Sequence, residues 1–222
     1  MKTHIRLRNT HDYRLPAEFR QDDVRMPGSL VVDLLREFTQ KGDQVLDPFA
    51  GYGTTLYVAE KMGRIGYGVE YDEKRAGFIQ GRLKHPEYLI HGDSRRLAKY
   101  QLPLFDFCLT SPPYTPKEDD ENPFTNYAEK GYNYAAYLQD IRAIYTQVAQ
   151  LLKPRARAVI EIANIKTSQG VTPLAWDVAG EISKILRYEG EIVACWDTYG
   201  YGYDHSYCLV FSKSATTDQL TK

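Results

Sequence analysis

The sequence predicts a doubly wound α/β fold, a mostly parallel sheet with helices on both faces, and three observations carry that expectation. Short apolar runs alternate with longer runs of helical spacing from Ser29 to Arg187, the pattern of successive βαβ units. The first of the buried strands, Gln44 to Phe49, runs straight into a glycine turn that opens a helix. Asp47, Glu70, Asp93 and Ser111 all fall at or just past the ends of expected strands, where sheets of this kind bind their ligands.

In order along the chain, residues 1–28 form a polar N-terminal segment, and Ser29 to Phe38 is a helix stopped near Gly42. Gln44 to Phe49 is a buried strand, and Thr54 to Met62 a helix closed by Gly63. Ile65 to Glu70 is the second strand, and Asp72 to Leu83 a helix with Asp72 as N-cap. Tyr88 to His91 and Phe105 to Thr110 are the third and fourth strands. A polar loop then covers 115–132, followed by an amphipathic helix from Ala135 to Leu152. Ala156 to Ile162 is a β-branched strand, Leu174 to Arg187 a helix, and Glu191 to Trp196 and Tyr207 to Phe211 the last strands. There is no internal repeat or clear linker, and residues 1–222 read as a single domain.

Composition narrows the function classes. At 43% hydrophobic and 26% charged residues, the chain has the make-up of an ordinary globular protein, without an apolar run of about 18 residues that would span a membrane. Met1 to Arg6 lead into no apolar stretch, so no secretory signal is expected. Cys108, Cys195 and Cys208 lie in strand-like runs without CxxC spacing, which predicts reduced thiols and a cytoplasmic protein. The five histidines have no ligand spacing, and no metal is expected. Net charge is −1, so phosphate binding would need a local patch. The candidates are Lys2, Arg6, Arg8, Arg14, Arg20 and Arg25, and the cluster Arg95, Arg96 and Lys99. Of eighteen tyrosines, Tyr127, Tyr132, Tyr134 and Tyr137 follow closely on Tyr114; base stacking and loop anchoring are both open to them.

The turn Asp47-Pro48-Phe49-Ala50-Gly51-Tyr52-Gly53-Thr54-Thr55 lacks a P-loop lysine and is not Gly-x-Gly-x-x-Gly. Gly51 and Gly53 remove Cβ atoms where the chain bends and where a ligand approaches. Asp47 would repel pyrophosphate but suits a cationic amino group. Glu70 stands where an acid grips ribose hydroxyls, and Asp93 could accept from an adenine amino group. Each acid alone is better explained as a cap or turn residue; three in succession beside a glycine turn point to a nucleoside cofactor.

Val45 to Thr55 resembles the S-adenosylmethionine-binding motif of the amino-methyltransferases that act on DNA bases. Val69-Glu70-Tyr71-Asp72 is similar to their ribose-binding segment, and Met26-Pro27-Gly28-Ser29-Leu30 to the segment that helps hold the methionine moiety. The resemblance covers roughly Arg25 to Ile162. It implies S-adenosylmethionine as cofactor. Pro27, Asp47, Pro48, Phe49, Gly51, Gly53, Thr54, Thr55 and Thr110 would lie around it, with Glu70 and Tyr71 at the ribose and Asp93 or Ser94 at the adenine.

Ser111-Pro112-Pro113-Tyr114 resembles the catalytic motif of the same family in its serine form, most typical of enzymes that make N4-methylcytosine. The chemistry is physically reasonable. A ring-conjugated amine is a poor nucleophile because its lone pair is delocalised. Hydrogen bonds from its two N–H groups to the Ser111 hydroxyl and the Pro112 carbonyl draw the nitrogen toward sp³ geometry. The two prolines stiffen the acceptors, and Tyr114 would stack on a base flipped from its helix.

The sequence departs from the family in two respects: no separate target-recognition segment is found, and the cofactor segment precedes the catalytic motif, the reverse of the order in many N4-cytosine enzymes. Only the 115–132 loop, with Lys117, Asn122, Phe124 and Asn126 but also the acidic run Glu118 to Glu121, and the stretch Thr198 to His205 are free to touch substrate. The resemblance implies a nucleic-acid substrate, DNA before RNA, with a specificity-supplying protein or a second copy as possible partner. Adenine N6, guanosine N2 in transfer RNA, and a non-catalytic cofactor-binding subunit stay open as alternatives.

Overall fold

A computed structural model describes residues 1–11, 13–20, 25–198 and 202–215. The elements are β1 (His4–Leu7), α1 (Gly28–Phe38), β2 (Gln44–Asp47), α2 (Thr54–Lys61), β3 (Ile65–Glu70), α3 (Glu73–Gln80), β4 (Leu89–His91) and β5 (Phe105–Thr110), then α4 (Tyr134–Leu151), β6 (Leu152–Ile162), β7 (Ile165–Thr167), β8 (Gly170–Thr172), α5 (Leu174–Ile182), β9 (Arg187–Trp196) and β10 (His205–Ser212).

Eight strands form one sheet in the order β1-β9-β10-β6-β5-β2-β3-β4, and β7-β8 make a separate hairpin. Every neighbouring pair in the large sheet is parallel except the two made by β10, which runs against β6 and β9. The mostly parallel, doubly wound expectation therefore holds. Alternation along each strand divides the core. Val45, Phe107, Leu109, Val159 and Val210 point to the face covered by α1, through Leu30, Val31, Leu34 and Leu35. Their neighbours Leu46, Cys108, Ile160 and Leu209 point to the other face, against Ile141, Ile144 and Val148 of α4 and Val178 and Ile182 of α5. Burial of these side chains on two faces is the main force holding the sheet.

Several boundaries differ from the sequence expectation. β2 ends at Asp47, not Phe49, because Pro48 has no N–H for the ladder and the Asp47 carboxylate takes the Phe49 amide at 3.0 Å. Asp72 caps α3 by accepting from the Arg75 amide at 2.8 Å, but the helix stops at Gln80. α5 likewise stops at Ile182, and the chain from Arg187 already belongs to β9. β1, inside the stretch read as merely polar, adds a parallel strand to β9. Of the Thr198 to His205 stretch, Tyr199, Gly200 and Tyr201 lie outside the described residues, while His205 begins β10. Among the described residues no helix is long and apolar enough to cross a membrane.

Candidate active site

β2 and β5 lie side by side in the middle of the sheet, and their onward connections leave in opposite directions, to β3 on one side and to β6 on the other. The loops after Asp47 and Thr110 consequently diverge and open a cleft of about 860 Å³, the size of a small-molecule site. Thr110, fully buried and not among the residues lining the cleft, donates its hydroxyl to Asp47 Oδ1 at 2.6 Å. Asp47 is 3% exposed. Burial pushes its pKa up to about 6, against the lowering effect of the Thr110 hydroxyl and the Phe49 amide.

The glycine turn is shaped by two left-handed residues, Gly51 (φ 58°) and Gly53 (φ 78°). Gly51 donates its amide to Glu70 Oε2 at 2.8 Å. Gly53 serves a purpose other than ligand approach: a Cβ there would stand 2.6 Å from Ile79 of α3, so the glycine lets α2 begin beside α3. Thr54 and Thr55 occupy the buried first turn of α2. Glu70 also accepts the Asp72 amide through Oε1 at 2.9 Å. It thus ties the ends of two strand–helix turns together while lining the cleft. Burial raises its pKa to about 7, opposed by those amides and by the Arg75 guanidinium.

The adenine-side expectation is modified. Ser94 donates its hydroxyl to the Pro48 carbonyl, which fixes the glycine turn. Asp93 lines the cleft, but its carboxylate is gripped by Arg95 through Nε at 3.1 Å and Nη2 at 2.9 Å. Arg95 and Arg96 both stand within 4.0 Å of Asp93, so two of the three cations of that cluster face an acid. Pro27 caps α1, and it lines the cleft together with Pro48, Phe49 and the half-exposed Tyr71.

On the β5 side, Ser111 donates its hydroxyl to Glu161 Oε2 at 2.9 Å. Tyr114 lies with its phenol 3.4 Å from the same oxygen and accepts the Ala163 amide at 2.9 Å. The carbonyls of Pro113 and Tyr114 are taken by the phenols of Tyr137 (3.1 Å) and Tyr127 (2.8 Å), so the tetrapeptide is held from both sides. Sequence reasoning missed Glu161, a 5%-exposed acid on β6. The available signal was a charged residue inside the apolar run Ala158 to Ile162.

The tyrosines after Tyr114 prove to be anchors. Tyr132 bonds Asp140, Tyr134 bonds Asp177, and Tyr137 is fully buried. In the loop, Asn122 and Phe124 are also buried, one capping a short 3-10 turn and the other stacked on Tyr137 at 5.4 Å, and Lys117 pairs with Asp177 at 3.1 Å. Asn126 and Tyr127 both have positive φ, 54° and 61°, unusual for a tyrosine. Asn126 bonds Asp72 Oδ2 at 3.2 Å. The N-terminal segment closes the opposite wall: Tyr13 bonds the Tyr52 carbonyl at 2.9 Å, and Asn9, His11 and Arg25 line the cleft.

Strand order, the glycine turn at the switch point and the acids at the strand ends define the Rossmann-like fold of the S-adenosylmethionine-dependent methyltransferases. A family model described as DNA methylase matches residues 7–80, a third of the chain. That match includes the glycine turn and Glu70 and stops before Ser111. Two curated relatives match over 61 residues, 28% of this chain: Type II methyltransferase M2.DpnII of Streptococcus pneumoniae, 33% identical and covered over 23% of its length, and Type II methyltransferase M.HinfI of Haemophilus influenzae, 36% identical and covered over 17%. The chain thus spans less than a quarter of either relative. Solved structures agree on the fold. TrmN from Thermus thermophilus has a TM-score of 0.61 at 20% identity, over 91% of this chain and 55% of that one. The N-methyltransferase NodS from Bradyrhizobium japonicum, solved with S-adenosyl-L-homocysteine, has a TM-score of 0.58 at 12% identity, over 84% and 85%. S-adenosylmethionine is the cofactor that the sequence resemblance implies for the cleft. The donor set fits it: two buried carboxylates, Asp47 and Glu70, suit a cationic ligand with a ribose diol.

Proposed function

We propose that the chain is an S-adenosylmethionine-dependent methyltransferase that acts on the exocyclic amino group of a DNA base, cytosine N4 being the acceptor. One observation carries the reading: the hydroxyl hydrogen of Ser111 is already given to buried Glu161. The oxygen therefore turns its lone pairs to the cleft, and can accept an amine N–H but not compete with it as donor. The Pro112 carbonyl takes the second N–H, and Tyr114, braced at its phenol by Ala163 and Glu161, offers its ring to the base. Asp47 would face the ammonium of the cofactor, Glu70 its ribose, and Asp93 with Ser94 would flank the adenine. When bound, S-adenosylmethionine would supply a sulfonium methyl to the amine nitrogen, with S-adenosylhomocysteine as the leaving thioether and the proton lost from the nitrogen passing to solvent.

DNA is favoured by the DNA methylase match and cytosine by Ser111 at the head of the tetrapeptide. Such a substrate accords with a cytoplasmic location, and a partner protein or second copy would supply recognition. Incubation with methyl-labelled cofactor and mixed DNA, followed by nucleoside mass spectrometry, should yield N4-methylcytosine. Label recovered only as N6-methyladenine, or only in RNA, overturns the cytosine assignment.

A further inference from the structure

Trp176 stands in the first turn of α5 with 44% of its surface exposed, whereas the other tryptophan, Trp196, is 6% exposed. A ring of that size left in water is informative where a scattered leucine is not. It is also held in place. Its ring lies 4.8 Å from that of Tyr207 on β10, and the contacts continue from Tyr207 to His205 at 5.2 Å and from His205 to Tyr203 at 5.5 Å. The His205 ring is bonded to the Tyr207 phenol at 2.9 Å, so the row of rings is braced from within.

The row begins one strand away from the catalytic tetrapeptide. Tyr207 pairs with Ile162 of β6, and the following residue, Ala163, gives its amide to the Tyr114 phenol. The β7–β8 hairpin runs alongside. Its exposed Lys166 is so near Gly202 that a Cβ there would stand 2.9 Å from the lysine Cβ. At the other end of the hairpin, the Thr172 hydroxyl accepts the Lys117 amide at 3.0 Å, which ties the surface to the substrate-side loop. Of the acids nearby, Asp177 holds Lys117 and the Tyr134 phenol, and Glu191 holds the Tyr188 phenol. Lys166 and Asp204 are both exposed, so the rings, and not net charge, set the chemistry of this surface.

Such a surface suits bases and not a duplex. An aromatic ring stacks on the face of any base, and a duplex keeps those faces inside. A base that reaches Ser111 has left its own stack, and its neighbours in an unpaired strand have faces to bury.

We infer that Trp176, backed by Tyr207, is a stacking platform for unpaired DNA adjoining the target base, an inference that rests on the reading of the chain as a methyltransferase of DNA bases. Single-stranded DNA is then the preferred form of the substrate.

Titration of the full chain with an unpaired oligodeoxynucleotide of about 12 residues, followed by tryptophan emission and by the anisotropy of a labelled strand, tests this. Because Trp196 is buried, quenching reports Trp176, and we expect it with the unpaired strand. That strand should bind at least about tenfold more tightly than a duplex of the same sequence. Trp176→Ala should weaken it by about 5- to 100-fold, the range for one lost stack, and change the duplex by less than about threefold. Trp176→Phe, which keeps a ring, should fall between wild type and Trp176→Ala. Binding without quenching, equal weakening of strand and duplex, or a duplex bound as tightly as the strand would overturn the inference. An RNA strand bound more tightly than DNA would overturn the choice of DNA. Methyl transfer is scored separately. Quenching with no methylated base leaves the platform standing and sinks the enzymatic reading, whereas N4-methylcytosine formed in an unpaired strand that leaves Trp176 unquenched does the reverse.

Discussion

Thr110 and Asp47 join the two halves of the site through one 2.6 Å hydrogen bond across the switch point. Thr110 is the last residue of the strand that delivers Ser111, and Asp47 the last of the strand that delivers the glycine turn. Any change in that bond reaches both. Thr110→Val keeps the shape and removes the donor to a buried carboxylate. It should cost about 1–3 kcal/mol of stability in urea denaturation and weaken S-adenosylmethionine binding by calorimetry.

Glu161→Gln should separate catalysis from cofactor binding. A glutamine amide can offer hydrogens to Ser111, which frees the hydroxyl to point its own hydrogen at the amine. We expect kcat to fall by roughly 100-fold, about 3 kcal/mol of transition-state stabilisation, with cofactor affinity unchanged. Because the two residues act as a unit, Ser111→Ala combined with Glu161→Gln should be far less than additive. Fully additive losses would mean that Glu161 does not act through Ser111.

Burial raises the pKa of Asp47 to about 6 and of Glu70 to about 7. The folded state holds these protons more tightly than the unfolded chain does. Their contribution to stability is fully present below the ordinary carboxylate pKa near 4 and is lost as pH rises through about 6 and then about 7. Binding of a cationic cofactor has the opposite dependence, since it favours the ionised acids. The urea midpoint of the free protein should fall between pH 5 and 8, while its increment on adding S-adenosylmethionine grows. Glu70→Gln should flatten the upper part of both curves.

Gly53→Ala should destabilise the chain by about 2 kcal/mol or more, combining backbone strain at φ 78° with a Cβ forced against Ile79. A thermal melt measures it. Gly51→Ala, with the nearest atom to its Cβ at 3.9 Å, carries the backbone strain alone and should cost less.

The parts of the molecule readable in the sequence are those where one local pattern had one physical meaning. Ile65 to Glu70 and Phe105 to Thr110 have the bounds their apolar runs imply, because a buried parallel strand needs little beyond continuous hydrophobicity. β1 escaped notice because only Ile5 and Leu7 of its four residues are apolar and its partner, β9, is nearly the whole chain away. Glu161 was hidden for a related reason. Its meaning arises from Ser111, fifty residues earlier, and a lone acid in a strand carries no spacing to read. Gly53 and Asp93 were recognised as site residues, yet their nearest engagements are with Ile79 and Arg95, contacts that only packing reveals.

The loop from Pro123 to Tyr127 is stitched at two points, Asn126 to the cap of α3 and Tyr127 to the Tyr114 carbonyl. One stitch belongs to the cofactor half and the other to the catalytic tetrapeptide. Each is an ordinary hydrogen bond of about 1 kcal/mol net, made by residues whose backbones would relax if released. Between them Phe124 is buried and stacked on Tyr137, so the rim is one piece with both halves of the site, and a disturbance at either stitch is passed to the cofactor turn and the tetrapeptide alike.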